Sequence, residues 1–439
     1  MTRSLEQRLQ DAIRGCVLES RLGTSAAPFL QRRSGDAAAR RLDGRVLCGL
    51  ARVLASQPRV AGFLSHRPEL LERIADADAS TLDSRASELD DSDDECTDDL
   101  EEALDGLRIL RHEETCLTAC LDLGGVVRFE EVSNFLSRLA ETITRRSLRL
   151  AQSQLGAGEA VSDFAVVGMG RIAGREFTYH SDLDLIFLNS GAPDHISTTA
   201  RVGQRLIAYL STMTGAGVAY AVDTRLRPSG NQGVLVASFD GFERYQLESA
   251  EKWEHMALLR SRAIAGHTQI AQRTLDRVRQ KLLTRTTEPW GYIAELRARV
   301  ERERSRTSGD AMALKTGRGG LMDVDFLAKG ALLELKSERF PPLPSVPAML
   351  NSVVQGRHIE PLLDDYEFLR LVESRARWIA GRGVDEVNTD EDKVELLAEL
   401  VDAGIESAAL LAELATARDR IRACFKAVIE RGSISALCD

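Results

Sequence analysis

The sequence predicts an α+β fold, a small mixed sheet with helices, flanked by N-terminal helices and a C-terminal helical bundle. Strand-like apolar runs are confined to the middle of the 439 residues, and a helical segment at 202–210 separates the second run from the third. Strands mixed with helices over a short span predict helices packed on one face of the sheet. The strand-like runs begin near Phe164, Asp182, Val218 and Val234.

Residues 1–130 are expected to form an N-terminal helical region. Leu47, Leu50 and Leu54 recur at the spacing that places side chains on one face of a helix. The stretch 88–102 is dense in Asp, Glu and Ser and predicts a solvated loop, in which Asp98 caps the next helix.

Residues 131–275 are expected to form the core that contains the sheet. A helix leads into this core, and the predicted sheet sets Asp223 beside Asp182 and Asp184 on neighbouring strands. The apolar positions that mark the leading helix are Val132, Phe135, Leu136, Leu139 and Ile143.

Residues 276–439 are expected to form the C-terminal helical bundle. The chain is strongly helical after Gly266, and apolar residues near the end repeat at intervals of three and four, as a helix in a bundle requires. These residues are Leu410, Leu411, Leu414, Ile421, Phe425 and Val428.

Three carboxylates are predicted to meet at one edge of the sheet. Asp182 and Asp184 project from the same face of a strand, and Asp223 follows a second apolar run. Two carboxylates about 4 Å apart repel by roughly 4 kcal/mol at an effective dielectric of about 20, so converging acids need protonation or a cation. Magnesium prefers such oxygen ligands, and manganese accepts them too. The pattern predicts metal-dependent phosphoryl or nucleotidyl transfer.

A glycine-rich, basic segment follows the first strand-like run and contains Gly168, Gly170, Arg171 and Gly174. Glycines allow close backbone approach, and consecutive amide groups can bind phosphate oxygens. The spacing fits neither the phosphate loop with Gly-Lys-Ser/Thr nor the dinucleotide fingerprint. Two interpretations remain at this point, a phosphate-binding turn and a structural corner.

These segments carry a family resemblance. Residues 168–176, Tyr179 and residues 181–187 are similar to the signature of the glutamine synthetase adenylyltransferase / adenylyl-removing enzyme family, which belongs to the polymerase-beta-like nucleotidyltransferase superfamily. Further matching motifs follow in the family's order, so the resemblance extends over nearly the whole chain. They lie at residues 223–230, 253–255, 260–262 and 315–326.

The resemblance implies one half of an enzyme that usually has two related halves, because the chain carries a single set of motifs. The family's adenylylating half usually has Ser after Arg-Pro and then Trp-Glu-His, which Ser229 and His255 match. The removing half usually has Phe and Arg at these two positions. The adenylylating half is therefore favoured. Arg171 departs from the family's usual Lys, and Ala173 from its usual Gly.

The resemblance also implies the chemistry. ATP is the substrate, Asp182, Asp184 and Asp223 are both catalytic residues and ligands of Mg²⁺ or Mn²⁺, and Asp223 accepts the proton of a tyrosine on glutamine synthetase. This transfer of AMP controls nitrogen assimilation. For the two arginines of residues 225–227, anchoring the sheet edge by salt bridges is an equal alternative. The expected nucleotide-binding residues are Gly168, Gly170, Arg171, Ser181, Arg225 and Arg227.

Lys315 and Asp323 lie in a motif that related protein nucleotidyltransferases share. Two roles are open for them, contact with the nucleotide and packing of a helix on the core.

Two rival functions remain. In the first, the same site catalyses attack of inorganic phosphate on adenylyl-tyrosine and releases ADP. In the second, the chain is a non-catalytic docking module for glutamine synthetase or the PII signalling protein. Three intact, mutually repelling carboxylates count against the second rival.

Composition restricts the class of protein. The net charge of −10 does not favour a general nucleic-acid binder. No apolar run is long enough to span a membrane, and the first residues lack the apolar core of a secretion signal, so we expect a cytoplasmic protein. Seven dispersed cysteines do not form the pattern of a disulfide framework.

Overall fold

The computed structural model describes residues 3–91, 99–155, 163–192, 195–304, 311–336, 340–354 and 359–437. Within these residues, a series of helices precedes the sheet. The helices are α1 (Leu5–Ala12), α2 (Glu19–Ser25), α3 (Ala27–Arg33), α4 (Ala37–Arg41), α5 (Gly44–Ser56), α6 (Pro58–Ser65), α7 (Pro68–Ala75), α8 (Thr81–Asp91), α9 (Leu100–Leu123) and α10 (Phe129–Ser153).

The N-terminal helices form where the apolar spacing predicts them. The three leucines expected to share one helical face are buried in α5, and the five apolar residues expected to mark the helix before the core are buried in α10. Helix α9 begins after Asp99, whose carboxylate accepts hydrogen bonds from the backbone N–H groups of Glu101 and Glu102. Asp98, the predicted cap, lies outside the described residues.

The sheet is small and mixed, which confirms the predicted combination of strands and helices. Strand β1 pairs with β2 and β5 in antiparallel fashion, whereas β3 and β4 both pair in parallel with β2. Helix α11 (Arg171–Gly174) follows β1, and α12 (Ile196–Ser211) contains the predicted helical segment. The strands are β1 (Ala165–Met169), β2 (Leu183–Asn189), β3 (Val222–Asp223), β4 (Val236–Ser238) and β5 (Ser261–Gly266).

Two strands differ from the prediction. The run expected to begin near Val218 forms a strand only at β3, so a two-residue strand carries the third acid. Strand β5 was not predicted. It contains Arg262 and ends at Gly266, which weakens its pattern as a strand, yet it pairs along β1 and lies between α10 and α15 (Thr268–Arg285).

Helices cover both faces of the sheet, so the prediction of helices on one face is wrong. Val166 and Phe187 pack with residues of α10 and α12, whereas Val167 and Ile186 pack with residues of α15 on the opposite face. The reason is that β1 is buried at every position, and a strand without a polar face cannot be left open to water.

The C-terminal part is a bundle of helices with one short antiparallel ribbon, β6 (Ala311–Ala313) paired with β7 (Glu386–Asn388). The predicted apolar face of the last long helix is buried, apart from Leu411, which is only partly covered. The helices after the sheet's fourth strand are α13 (Phe239–Glu248), α14 (Lys252–Leu258), α15, α16 (Pro289–Arg304), α17 (Leu321–Leu335), α18 (Val346–Val353), α19 (Glu360–Ala380), α20 (Glu391–Val401) and α21 (Ser407–Arg431).

None of the helices in the described part of the chain combines the length and apolar character that a membrane-spanning helix needs.

Candidate functional site

The predicted acids meet at the edge of the sheet where β2 and β3 run side by side. Asp184 and Asp223 are paired residues of the parallel ladder, and Asp182 lies one residue before β2. The predicted placement of Asp223 beside Asp184 on a neighbouring strand is therefore confirmed. The register of the strands brings the two side chains together, because the pairing of β2 with β3 begins at Leu183 and Val222.

Asp182 and Asp184 line a cavity of about 180 Å³ between the sheet and the C-terminal bundle. Gly170 and Arg171 form part of the sheet side. The bundle contributes residues of α17 and α19 and the turn before α17. These bundle residues are Lys315, Leu321, Met322, Asp325, Lys329, Tyr366, Arg370 and Arg377, and Arg260 completes the lining from the sheet side.

The surroundings of Asp184 perturb its carboxyl group. Burial raises the pKa of its carboxyl group to about 6, and the negative charges of Asp182 and Asp223 act in the same direction. The positive charge of Lys315 opposes the shift. The site therefore concentrates negative charge in a poorly solvated place, which is the situation that a bound cation relieves.

Asp223 is bound by its neighbour Arg225. The backbone N–H of Arg225 donates to Oδ1 of Asp223 at 2.8 Å, and Nε of Arg225 donates to Oδ2 at 2.8 Å. These hydrogen bonds lower the pKa of Asp223. Among the described residues, no three His, Cys, Asp or Glu side chains are close enough together to hold a metal ion.

The glycine-rich segment is a tight turn. A Cβ atom at Gly168 would lie 2.8 Å from the side chain of Ile172 and 3.2 Å from that of Ile264, so this glycine permits close packing. Gly170 has φ of 59°, a conformation that favours glycine, and its N–H donates to the carbonyl oxygen of Arg260 at 2.7 Å. A Cβ atom at Gly170 would lie 3.7 Å from Oδ2 of Asp184, so the turn passes beside the acids.

Arg171 reaches across to the C-terminal bundle. Its Nη2 atom donates to Oε1 of Glu373 at 2.6 Å, and its Nη1 donates to Thr178 at 3.3 Å. Glu373 is buried in α19. The predicted phosphate-binding cation is therefore already paired with a carboxylate.

Ser181 lies just before the acids but does not line the cavity. Its hydroxyl oxygen accepts from the backbone N–H of Thr178 at 3.1 Å and from Nη1 of Arg377 at 3.3 Å. Ser181 is buried, and it fixes the turn that leads into β2.

Of the two arginines after β3, Arg225 is exposed and pairs with Asp223, as the salt-bridge alternative predicted. Arg227 donates from Nη1 to the carbonyl oxygen of Thr224 at 2.9 Å and to its hydroxyl at 2.8 Å, so it holds the same loop.

Lys315 and Asp323 have different positions. Lys315 lines the cavity opposite the acids. Asp323 is fully buried at the start of α17, where its carboxylate pairs with Arg297 and accepts from the N–H of Gly319 at 2.9 Å. Asp323 therefore packs the helix, which was one of its two predicted roles.

Sequence reasoning missed several lining residues. Arg260 and Asp325 fall inside motifs that the family resemblance singled out, so a signal for them was present. Glu373 does not line the cavity but pairs with Arg171, and the sequence held no signal for it, because 202 positions of the chain separate the two residues.

A family model described as glutamate-ammonia ligase adenylyltransferase matches residues 47–277, more than half of the chain. The chain belongs to this family. Residues 292–429 of this adenylyltransferase family member also match a model described as GlnD PII-uridylyltransferase.

Curated relatives of this family member carry the name bifunctional glutamine synthetase adenylyltransferase/adenylyl-removing enzyme. The relative from Nitrosococcus oceani is 32% identical over 324 residues, which are 65% of this chain and 33% of the relative. The relative from Thioalkalivibrio sulfidiphilus is 31% identical over 418 residues, 88% of this chain and 41% of the relative. The chain thus spans about a third of the length of the first of these relatives and about two fifths of the second.

The two residues that favour the adenylylating half of the family lie outside the cavity lining. Ser229 has φ of 59° and begins the short 3₁₀ turn Gly230–Gln232. His255 lies on α14, where its Nε2 atom is 2.7 Å from the carbonyl oxygen of Gln246. His255 thereby contacts the backbone of α13.

Proposed function

We propose that this chain is a metal-dependent nucleotidyltransferase that transfers AMP from ATP to a tyrosine of glutamine synthetase in the cytoplasm. The observation that carries the proposal is the pairing of Asp184 with Asp223 across β2 and β3, with Asp182 beside them at a cavity. Family membership supports the reaction class. The core, 131–275, would be polymerase-beta-like, between the helical region 1–130 and the bundle 276–439.

The donor set fits Mg²⁺ or Mn²⁺. Asp182 and Asp184 offer carboxylate oxygens at the cavity, and burial, followed by the charge of Asp182, raises the pKa of Asp184, an effect that a bound cation would oppose. Asp223 would become the third ligand only if Arg225 released its carboxylate. When bound, the cation supplies charge neutralisation for phosphate oxygens.

The chain's own residues position the nucleotide. Gly170 and Arg171 border the cavity beside Asp184, so the phosphates lie along this turn. Gly168 allows the turn to pack closely on the sheet, and Ser181 holds the segment that presents Asp182. We infer that Arg225 and Arg227, which follow β3 at the same edge, neutralise phosphate charge.

Release of Arg225 also changes the chemistry of Asp223. Without the hydrogen bonds from Arg225, the pKa of the Asp223 carboxyl group rises toward its ordinary value and the carboxylate becomes a better base. The tyrosine oxygen then forms a bond to the α-phosphorus while the bond to the oxygen that bridges to the β-phosphorus breaks. Pyrophosphate leaves, and the phenolic proton passes to Asp223.

Mass spectrometry of purified glutamine synthetase tests this proposal. One sample is incubated with the chain, ATP and Mg²⁺, and a parallel sample of adenylylated synthetase is incubated with the chain and phosphate. Gain of one AMP on a tyrosine in the first sample is the expected result. Loss of AMP with release of ADP in the second sample alone would identify the removing reaction instead.

An Asp182→Asn plus Asp184→Asn variant separates an enzyme from a docking module. An enzyme loses turnover in this variant and keeps its partner, whereas unchanged synthetase in every sample, with intact binding, would favour the docking module. The match of residues 292–429 to a PII-uridylyltransferase model supports the PII signalling protein as a further partner. Binding of purified PII to the chain, measured by calorimetry, tests that partner.

A further inference from the structure

The cavity at the acids has basic residues on both sides, and Asp325 lies on the bundle side. Asp182 and Asp184 stand on the sheet side, and most of the basic lining residues come from the C-terminal bundle. If the proposed function is correct, this cavity receives a polyphosphate chain, which needs positive charge that is not already neutralised. The ion pairs of each basic lining residue therefore decide which one is available.

Most of these basic residues are already paired. Arg171 pairs with Glu373, and Arg377 pairs with Asp385 at 2.8 Å. The remaining pairs follow the same pattern: Arg260 with Glu176 and with Asp325, Lys329 with Asp325, and Arg370 with Glu176. The carboxylates of Glu373, Glu176 and Asp325 are mostly buried, whereas that of Asp385 is half exposed. A phosphate would have to displace an established partner at each of these basic residues.

Lys315 is the exception. Among the residues that the structure describes, no carboxylate lies within ion-pair distance of its ammonium group. The ammonium group is nevertheless near the acids, because its charge opposes the effect of burial on the pKa of Asp184. Lys315 lines the cavity and acts electrostatically on Asp184 and Asp385, but it makes no direct ion pair with a described residue. Such a lysine is suited to an anionic ligand that also carries a cation.

The backbone around Lys315 is held in place. The N–H of Leu321 donates to the carbonyl oxygen of Leu314 at 2.9 Å, and the N–H of Met322 donates to that of Lys315 at 3.1 Å. Leu314 in turn donates from its N–H to the carbonyl oxygen of Asp385 at 3.0 Å, which fixes the turn to the segment before β7.

Asp323 stabilises this turn. Its carboxylate accepts from the N–H of Gly319, which has φ of 65°, and it pairs with Arg297. Arg297 also donates to the carbonyl oxygen of Gly317 at 2.7 Å. The buried acid thus binds the turn 315–320 at two points, directly and through Arg297.

We propose that Lys315 binds the phosphates beyond the α-phosphate of a nucleoside triphosphate, and that Asp323 is a positioning residue that holds the turn presenting it. This inference rests on the proposed function and extends it, since the helical bundle supplies the phosphate-binding charge while the sheet supplies the acids. ATP then contacts both parts of the chain, whereas AMP contacts the sheet side alone.

Calorimetric titration of the full chain with ATP and with AMP, each in the presence of Mg²⁺, tests the inference. Lys315→Met is expected to weaken ATP binding by at least about tenfold and to change AMP binding by less than about twofold, because one charge-assisted contact is lost. Lys315→Arg should recover most of the ATP affinity. Lys426→Met, on an exposed face of α21, is the matched control and should bind as the unaltered chain does.

Asp323→Asn supplies the second arm. If Asp323 positions Lys315, the ratio of ATP affinity to AMP affinity should fall in Asp323→Asn as it does in Lys315→Met. A purely structural role would leave this ratio unchanged. If Asp323→Asn does not fold, the Lys315 variants still decide the outcome.

Equal loss of ATP and AMP binding in Lys315→Met, or no loss, would overturn the inference. Failure of the unaltered chain to bind ATP would instead overturn the proposed function. The two failures are therefore distinguishable.

Discussion

Asp122 joins four parts of the molecule, and removal of its charge should destabilise the fold. The carboxylate, at the end of α9, accepts from the Tyr179 hydroxyl at 2.7 Å and pairs with Arg375 of α19 through both oxygens. Arg375 also donates to the carbonyl oxygen of Leu400 at 2.8 Å, and the Tyr179 ring lies 4.9 Å from that of Trp378. Asp122→Asn keeps the shape and removes the charge.

The expected cost follows from burial. The side chains of Asp122 and Arg375 are only 2% and 6% exposed, so the variant leaves an arginine charge buried without its partner. Loss of one member of a buried ion pair costs about 3–5 kcal/mol, and the low end applies because the asparagine oxygen still accepts one hydrogen bond. We therefore expect the free energy of unfolding to fall by about 3 kcal/mol.

Urea denaturation followed by tryptophan fluorescence measures this change, since Trp378 is buried beside Tyr179. Asp390→Asn is the control, because its pair with Lys393 is more than half exposed on both sides and should contribute little. Replacing both members of the buried pair, by Leu and Met, should be less damaging than the single change. Equal midpoints for Asp122→Asn and Asp390→Asn would refute the argument.

Three further predictions concern pH, metal binding and backbone geometry. Burial lowers the pKa of His112 from 6.5 to about 4, so the contribution of its neutral form to stability is complete above pH 6.5 and is lost as pH falls toward 4. At pH 5 the free energy of unfolding should be lower by about 2 kcal/mol. The unfolding of His112→Asn, measured at several pH values, should lack this decrease. Arg225→Ala should tighten Mn²⁺ binding in a calorimetric titration because it frees Asp223, and weaker binding would contradict the proposed exchange of partners. Gly319→Ala should lower the melting temperature far more than Gly125→Ala. Both glycines have positive φ, but only at Gly319 would a Cβ atom overlap a carbonyl oxygen of α21. Equal decreases in melting temperature would show that the overlap is relieved at no cost.

The course of the sheet was partly predictable from the sequence. The apolar run before Gly168 and the one containing Asp184 predict β1 and β2. The expectation of helices on one face was wrong, because β1 is buried at every position. Strand β5 gave a weaker signal. Arg262 interrupts its apolar pattern, yet its guanidinium is partly buried and donates to the carbonyl oxygen of Ala173 at 2.9 Å, a contact that only the folded chain supplies.

The candidate site was also only partly predictable from the sequence. Period-two alternation places Asp182 and Asp184 on one face, and parallel pairing places Asp223 beside them. The partner of Arg171 was not predictable, because no local rule relates it to a glutamate on a helix 202 residues away. An ion pair of that range depends on the packing of the bundle against the sheet, and sequence periodicity contains no information about it.

Strand β2 receives two short strands along the same edge, β3 beside its first residues and β4 beside its last. Both ends of the loop 224–235, which connects β3 to β4, are therefore held on β2. The distance between these ends stays fixed when the middle of the loop changes conformation. Arg225 can swing away from Asp223 within this loop while the ladder keeps the aspartate in register. Motion of the basic side chain is thereby decoupled from the position of the acid that it covers.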